Sequence, residues 1–539
     1  MTLLPEKSTL LLPFRRAASD EGPLRVGVVL DRTSPWTEAL LSLIKQLPGI
    51  DLVPFTVTGR SPAALKRPSW LLNRLYSASQ AKFDPFGDIT VDQTEPATIE
   101  SLDGIRNADC GVLIWLAGRG PNIDLGGVAK HGVLTVRFGK RDRVIPFWDE
   151  VADNDVTSMV TVYWHESSFA RGRAVRTAET STVPGLYITL SAEEPLAAAI
   201  RTLASLCLEI REGNRQFEEK LRGFPEESLQ AFSSVGYPGT LETGRFVLSK
   251  LARSGYLRWK ARGKESKWFI ATRPNSGHSI TEPGRLDLSG FRDVPFSDGI
   301  EAADPFLWDT GGHHYLFFEE IIAGSRKGRL GCVELFDNGS CSEIKTVLEQ
   351  PYHLSYPCVV PAGGELFLLP ETSEAGRVEL YRFSRFPWEV ELVATLVEDL
   401  AVVDTTPLFW NGRWYFFTTT LQPFMETLLF WSERLDGGWN LHPSSPVSCS
   451  VRNSRSAGNL FCRNGRIYRP TQDCSVRYGY AIQVNEVIRL TPTEFEERRV
   501  NWIPPAWSRD LVGTHTWNES SGCQVIDGIR WQAAGMRKS

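Results

Sequence analysis

The sequence predicts a multidomain chain: a Rossmann-like α/β domain at 24–195, a helical connector at 196–262 and an all-β, five-bladed propeller at 266–531. Three observations carry this. Continuous apolar runs alternate with helical periodicity in the first part, as in an open parallel sheet covered by helices. Two long segments with apolar residues at helical spacing follow. Beyond them, a unit of polar residues, a short apolar strand, a turn and a second aromatic strand recurs at a spacing of roughly fifty residues, the signature of a propeller. The clearest pair is Asp304-Pro305-Phe306-Leu307-Trp308 … Tyr315-Leu316-Phe317-Phe318 and Asp404-Thr405-Thr406-Pro407-Leu408-Phe409-Trp410 … Trp414-Tyr415-Phe416-Phe417.

In the first domain, Leu24 to Leu30 is a buried-strand run, and Ser34-Pro35 caps a helix over Trp36 to Leu47. Asp51 to Val57, Ala108 to Leu116 and Gly132 to Phe138 read as further strands, and Asp124 as a loop cap. No GxGxxG follows the first strand and no P-loop motif occurs, so the sequence gives no support for nucleotide binding. The connector holds Ala192 to Asn214 and Gly244 to Ser254, then the basic run Arg258-Trp259-Lys260-Ala261-Arg262-Gly263-Lys264. That run fits either a solvated linker face or an anionic lipid or phosphate.

The propeller strands follow from alternation and aromatic enrichment. Blade one takes Pro305 to Trp308, Tyr315 to Phe318 and Gly331 to Phe336; blade two, Tyr356 to Val360, Glu365 to Leu369 and Val378 to Phe383. Blade three takes Pro407 to Trp410, Trp414 to Thr418 and Thr427 to Ser432; blade four, Gly458 to Phe461, Arg466 to Arg469 and Tyr480 to Ile488. Blade five has Thr514 to Trp517 and Cys523 to Trp531 and lacks a strand, which Lys267 to Ala271 is expected to supply, closing the ring and removing its edges.

Composition narrows the function. Of 539 residues, 42% are hydrophobic and 23% charged, and 59 Lys+Arg against 64 Asp+Glu give a net charge of −5. No basic excess advertises nucleic acid. The nine cysteines form no CxxC pair, which indicates neither a disulfide framework nor a zinc ribbon. No cofactor and no metal ligand set is expected, a lone His515 near the axis being weak support for one. The opening stretch Met1 to Gly22 makes a poor signal peptide and no window reaches a membrane span, so a cytoplasmic protein without an integral membrane segment is expected.

In a propeller the inner strands begin beside the axis. Those starts are Asp304, Tyr356, Asp404, Ala457 and His515, and the second strands end nearby in Glu319-Glu320, Glu371, Thr418 to Thr420 and Gln472-Asp473. Carboxylates at matching phases in different blades point to a shared polar pocket.

Two resemblances bear on function. The first domain resembles, in order and pattern, the N-terminal domain of formyltransferases acting on a tetrahydrofolate-bound formyl group. The positions that hold Asn and His in that family are matched here by Thr135 and Arg137. Arg stays protonated and supplies no neutral proton shuttle, which implies a degenerate domain. The second half resembles five-bladed glycosidases of the arabinanase, xylosidase and invertase type. More closely, it is similar to the propeller of plant glucosamine inositolphosphorylceramide transferases and their bacterial relatives with a formyltransferase-like domain in front. The matching stretches are Ala303-Asp304-Pro305-Phe306, His353-Leu354-Ser355-Tyr356-Pro357, Leu369-Pro370-Glu371-Thr372-Ser373, Val403-Asp404-Thr405-Thr406-Pro407 and Tyr468-Arg469-Pro470-Thr471-Gln472-Asp473-Cys474.

By analogy, the resemblance implies Asp304 as general base, Glu371 as general acid and Asp404 as the residue that tunes the acid and orients the sugar, with inversion of configuration if hydrolysis occurs. Tyr356, Arg377, Arg455, Arg469, Gln472, Asp473 and His515 are the candidate substrate-binding residues. The order Asp, Glu, Asp departs from the Asp, Asp, Glu of arabinanases. Three readings stand: a glycoside hydrolase-like enzyme acting on a glycan or glycolipid, a non-catalytic glycan- or glycolipid-binding propeller assisting a partner glycosyltransferase, and formyl transfer by the first domain.

Overall fold

A computed structural model describes residues 22–533, apart from 32, 58–67, 83–96, 100–101, 118–123, 142, 144, 213–220, 230–235, 276–279, 283–285, 298, 323–326 and 422–423. The opening stretch Met1 to Glu21, and with it the signal-peptide reading, lies outside the described residues. The chain divides into two compact units, Met1–Leu257 with Gln422–Phe424, and Arg258–Leu421 with Met425–Ser539.

The first unit holds an eight-stranded mixed sheet. Its strands are β1 (Leu24–Leu30), β2 (Ile50–Val57), β3 (Ala97–Ile99), β4 (Val112–Trp115), β5 (Val133–Phe138), β6 (Thr157–His165), β7 (Arg171–Ser181) and β8 (Glu226–Ser228), in the order β3-β2-β1-β4-β5-β6-β7-β8. The first five pair in parallel, as expected for the four of them read from the sequence; the short β3 was not among those. Val28 packs into a cluster with helices α1 (Pro35–Gln46) and α2 (Ile188–Arg211), and its neighbour Val29 packs into a second cluster on the opposite face. Both faces are thus covered, which is why β1 does not alternate.

The antiparallel strands β6, β7 and β8 extend the sheet beyond the four strands read from sequence. β7, RGRAVRTAETS, is polar along one face and carries little apolar signal, whereas β6, TSMVTVYWH, is mostly buried and does carry one. α2 overlaps the segment read as the start of a connector. Its Leu196, Ile200, Leu203, Leu206 and Ile210 belong to the first unit's core. The helix Thr240–Ala261 follows. Among the described residues no helix is long and apolar enough to cross a membrane.

The second unit is a five-bladed propeller, one sheet per blade. Blade one orders Glu301–Thr310, His313–Ile321, Gly328–Leu335 and Lys345–Leu348; blade two, Ser355–Ala362, Glu365–Glu371, Val378–Arg385 and Glu389–Val397. Blade three orders Val402–Trp410, Arg413–Thr420, Glu426–Ser432 and Asn440–Leu441. In blade four, Arg455–Ser456 and Phe461–Arg463 both pair with Arg466–Asp473, followed by Ala481–Leu490 and Phe495–Ile503. Blade five is completed by Lys264–Pro274, which pairs along its whole length with Cys523–Ala533. The expected closing strand is therefore present, and it joins residues about 250 positions apart.

The outermost strands were not foreseen. They are short or largely exposed, as in Glu389–Val397, so burial leaves no strict alternation in them.

Candidate active site

One local device builds the centre of the ring. In the inner strands of blades one, two and three the pairing register slips between Ala303 and Phe306, Ser355 and Cys358, and Val403 and Thr406. At the slips sit Asp304 (φ 51°), Tyr356 (φ 49°) and Asp404 (φ 52°), all left-handed. A β-bulge of this kind re-aims a side chain out of the pleat. A non-glycine residue at positive φ is strained and persists only where its surroundings hold it. Asp304 is held through its backbone N–H, which donates to Asp527 Oδ2 of blade five at 3.1 Å. Tyr356 Oη shares a 2.8 Å hydrogen bond with Thr406 and accepts one from the Gly458 N–H at 2.8 Å.

A cavity of about 320 Å³ opens at this centre, lined among others by Asp304, Glu319, Glu371, Arg455 and His515. Lys327 and His353 stand at its wall, and Trp268 and Tyr478 give it aromatic faces. Trp268 stacks on His515 with ring centroids 4.1 Å apart, and the Arg455 guanidinium lies 4.7 Å from the Tyr478 ring centre.

The charges are arranged in two groups. On one side, Thr516 Oγ1 donates to Asp304 Oδ1 at 2.7 Å, His515 Nδ1 meets Asp527 Oδ2 at 2.6 Å, and His515 Nε2 is 3.8 Å from Asp304 Oδ1. On the other, Arg455 Nε donates to Asp404 Oδ2, which also accepts from Gln472 Nε2 at 3.1 Å, and Arg455 Nη2 lies 3.8 Å from Glu371 Oε2. Glu371 accepts from Ser355 Oγ at 2.9 Å and from Ser373 Oγ at 2.6 Å. Glu319 Oε1 faces His353 Nε2 at 3.6 Å, and the other nitrogen of that ring accepts the Gly328 N–H.

Five carboxyls (Asp304, Glu319, Glu371, Asp404 and Asp527) are thus gathered with two cationic side chains, nearly all out of water. Burial pushes the Glu319 carboxyl well above the usual carboxylate range, and the charges of Asp304 and Glu371 push the same way. Burial also raises Asp304, with the His515 imidazole pulling against it. For His515, burial opposes the charge, but Asp527 and Asp304 outweigh it and raise its pKa. Burial likewise opposes the Arg455 charge, yet the paired Asp404 carboxylate holds the guanidinium more firmly protonated than in water.

Of the residues singled out from sequence, Asp304, Glu371, Arg455 and His515 line the cavity. Asp404 and Gln472 sit directly behind Arg455. Tyr356 spans between blades through Thr406 and Gly458. Arg377 is turned to Glu379, Asp473 accepts from Arg452 and Trp502, and fully buried Arg469 is paired with Glu497. Asp404, Gln472, Tyr356, Arg377, Asp473 and Arg469 do not appear in the cavity lining. Sequence reasoning noted Glu319 as a strand end without giving it a role, and it missed His353, Trp268 and Tyr478. The signal for Glu319 was its phase: it pairs with Ala303, next to the bulged Asp304. His515, Asp304 and Asp527 offer ligand atoms within 4.8 Å of one another and form the described group best suited to a cation. In the first unit, Thr135 Oγ1 shares a 2.8 Å hydrogen bond with buried His165, and Arg137 donates to Lys140 O at 2.6 Å.

Fold and site together define a five-bladed β-propeller with a buried acidic cluster at its axis. Residues 293–526 match the family model described as glucosamine inositolphosphorylceramide transferase 1, N-terminal. Similar sequences include Glucosamine inositolphosphorylceramide transferase 1 of Oryza sativa subsp. japonica, 31% identical over 253 residues, and that of Arabidopsis thaliana, 30% identical over 226. The alignments cover 46% and 40% of this chain but 32% and 29% of those proteins, so the chain spans about a third of their length. Among solved structures, the GH43_1 enzyme from Xanthomonas citri superposes with a TM-score of 0.35 at 11% identity, covering 44% of this chain and 89% of that one. A family 117 glycoside hydrolase of Zobellia galactanivorans gives 0.33 at 11%, covering 49% and 90%.

Proposed function

We propose that the propeller pocket processes a glycan or glycolipid by acid–base chemistry of the glycoside-hydrolase type. The observation that carries this reading is the pairing, in one cavity, of a carboxyl whose proton affinity burial raises, Glu319, with a carboxyl contacted by a hydroxyl and an imidazole, Asp304. Burial raises both carboxyls, Glu319 well above the usual range, and a general acid and a general base need two carboxyls of unequal proton affinity. Asp304 then removes a proton from the attacking water, and Glu319 delivers one to the departing oxygen.

Glu371, assigned the acid role by analogy, is held by two hydroxyls and faces Arg455, an arrangement suited to binding sugar hydroxyls. Asp404 acts through Arg455 as a positioning residue. Trp268 and Tyr478 supply the flat apolar faces on which sugar rings stack. The sequence relatives carry the name glucosamine inositolphosphorylceramide transferase 1, which supports a carbohydrate carried on a lipid as the substrate class.

A second reading has its own support: the matched region is only the N-terminal part of those relatives. On that reading the pocket binds a glycan without turning it over and presents it to a separate glycosyltransferase. Asp304→Asn separates the two. An enzyme loses turnover on a panel of glycosides while keeping sugar affinity by calorimetry, since only the base is removed. If the parent protein binds a glycan and no turnover is found on it, the hydrolytic reading fails and the binding reading stands. A further check distinguishes acid from base: Glu319→Gln is expected to lose turnover of natural glycosides yet keep much of it on aryl glycosides, whose leaving groups need no proton.

A further inference from the structure

The helix Thr240–Ala261 has two unlike sides. Thr243, Phe246 and Lys250, at helical spacing, are buried, with Phe246 packed among Leu72, Ile145, Trp148, Val151 and Ile188. Lys250 Nζ donates to Asn154 Oδ1 at 2.6 Å and to Val151 O. About half a turn away, apolar residues recur at the same spacing but face solvent: Leu241 is 82% exposed, Leu248 70% and Leu251 53%. Trp259, at 72%, continues the line. At 1.5 Å per residue the stripe is about 27 Å long. Folding does not explain Leu241 and Leu248, because from Thr243 to Lys250 the core is on the other side; from Leu251 to Lys260 every residue is exposed.

Charge is distributed to match. Between Thr240 and Lys264 the sequence has seven Lys/Arg and one acid, Glu242, in a chain of net charge −5. Six of the seven, Arg245, Arg253, Arg258, Lys260, Arg262 and Lys264, are exposed. Arg245 and Arg258 fall on opposite edges of the stripe. A leucine line edged by cations, with an aromatic residue near its end, is the pattern of a helix lying in the plane of a lipid–water interface. Because Phe246 and Lys250 fix the back of the helix, a partner that wraps the helix does not reach its full circumference, whereas a plane needs only the exposed side. We propose that this helix docks the protein on an anionic phospholipid surface, with Leu241, Leu248 and Leu251 entering the headgroup boundary and the flanking cations pairing with lipid phosphates and carboxylates.

The test is flotation of the full chain with vesicles of phosphatidylcholine alone and of phosphatidylcholine and phosphatidylserine in equal parts. Binding is expected on the mixed vesicles, weakened by salt and weak on phosphatidylcholine alone. Leu248→Glu with Leu251→Glu should abolish it without changing the melting temperature, since both side chains are exposed. Arg258→Gln with Arg262→Gln should weaken it about thirtyfold, from ~1 kcal/mol per basic residue at such a surface. No flotation with either vesicle overturns the proposal. So does equal flotation with both, or flotation that survives the double Glu variant. Light scattering that shows a dimer abolished by the same variant, with no lipid binding, assigns the stripe to a second copy of the chain instead.

Discussion

Burial raises the proton affinity of Glu319, and the sign of its effect on stability follows directly. A carboxyl whose folded-state pKa is raised contributes stability below its unfolded pKa and loses it as pH rises through the folded value. Glu319→Gln is therefore expected to melt above the parent at pH 8 and close to it at pH 5. The gap should widen by up to about 1.4 kcal/mol per pH unit within that window; a gap independent of pH contradicts the assignment. In activity, the alkaline limb of the profile should report Glu319 and the acid limb Asp304, both displaced above ordinary carboxylates. Arg455 is the other residue on which the site depends. Arg455→Ala leaves Asp404 buried and unpaired, and should cost about 3–5 kcal/mol in urea unfolding. Asp404→Asn, which keeps a hydrogen-bond acceptor, is expected to cost less.

The bulged inner strand is the element that turns a repeat into a site. Blades one to three place a non-glycine residue in left-handed conformation at the slip, and in blade four Gly458 takes φ 120°. A Cβ on Gly458 would stand 2.1 Å from Trp517 O of blade five. Gly458→Ala should thus destabilise by roughly 1–3 kcal/mol from backbone strain, before any movement of Trp517; a neutral result in thermal unfolding would mean the two blades are less tightly fitted. Gly328 plays a related part at the start of the third strand of blade one, where a Cβ would lie 2.5 Å from Glu319 Oε1. The close approach leaves room for the acid and for nothing larger.

At the scale of the whole propeller, closure matters most. The strand Lys264–Pro274 enters blade five before blade one begins, so both ends of the domain meet in one sheet. Ile270, buried beside Leu316, Phe318 and Val525, ties blade five to blade one. Ile270→Ala should cost about 2–5 kcal/mol, and tryptophan fluorescence and far-UV circular dichroism of the propeller should shift together, since a closed ring has no free edge at which to fray. Separate transitions would show that the seam opens first. Pairings this distant in sequence also imply slow folding.

Much of this was legible in the chain. The strands flanking Asp304, Tyr356 and Asp404 announced themselves through aromatic repeats, because inner strands are buried on both sides and tolerate few polar residues. The parallel strands β1, β2, β4 and β5 did so for the same reason, and the need for a closing strand followed from counting. The outer strands, and β7 and β8, were not legible because half-exposed strands obey weaker pattern rules. Nor could spacing reveal which polar residues of the repeat reach the cavity: Glu371 and Arg455 reach it, while Arg377, Arg469 and Asp473 are taken up by Glu379, Glu497 and Arg452. Sequence by itself determined the repeat and the phase of its carboxyls. Only the tertiary structure decided which of them share a cavity and which keeps its proton, because proton affinity depends on burial and on neighbours from other blades.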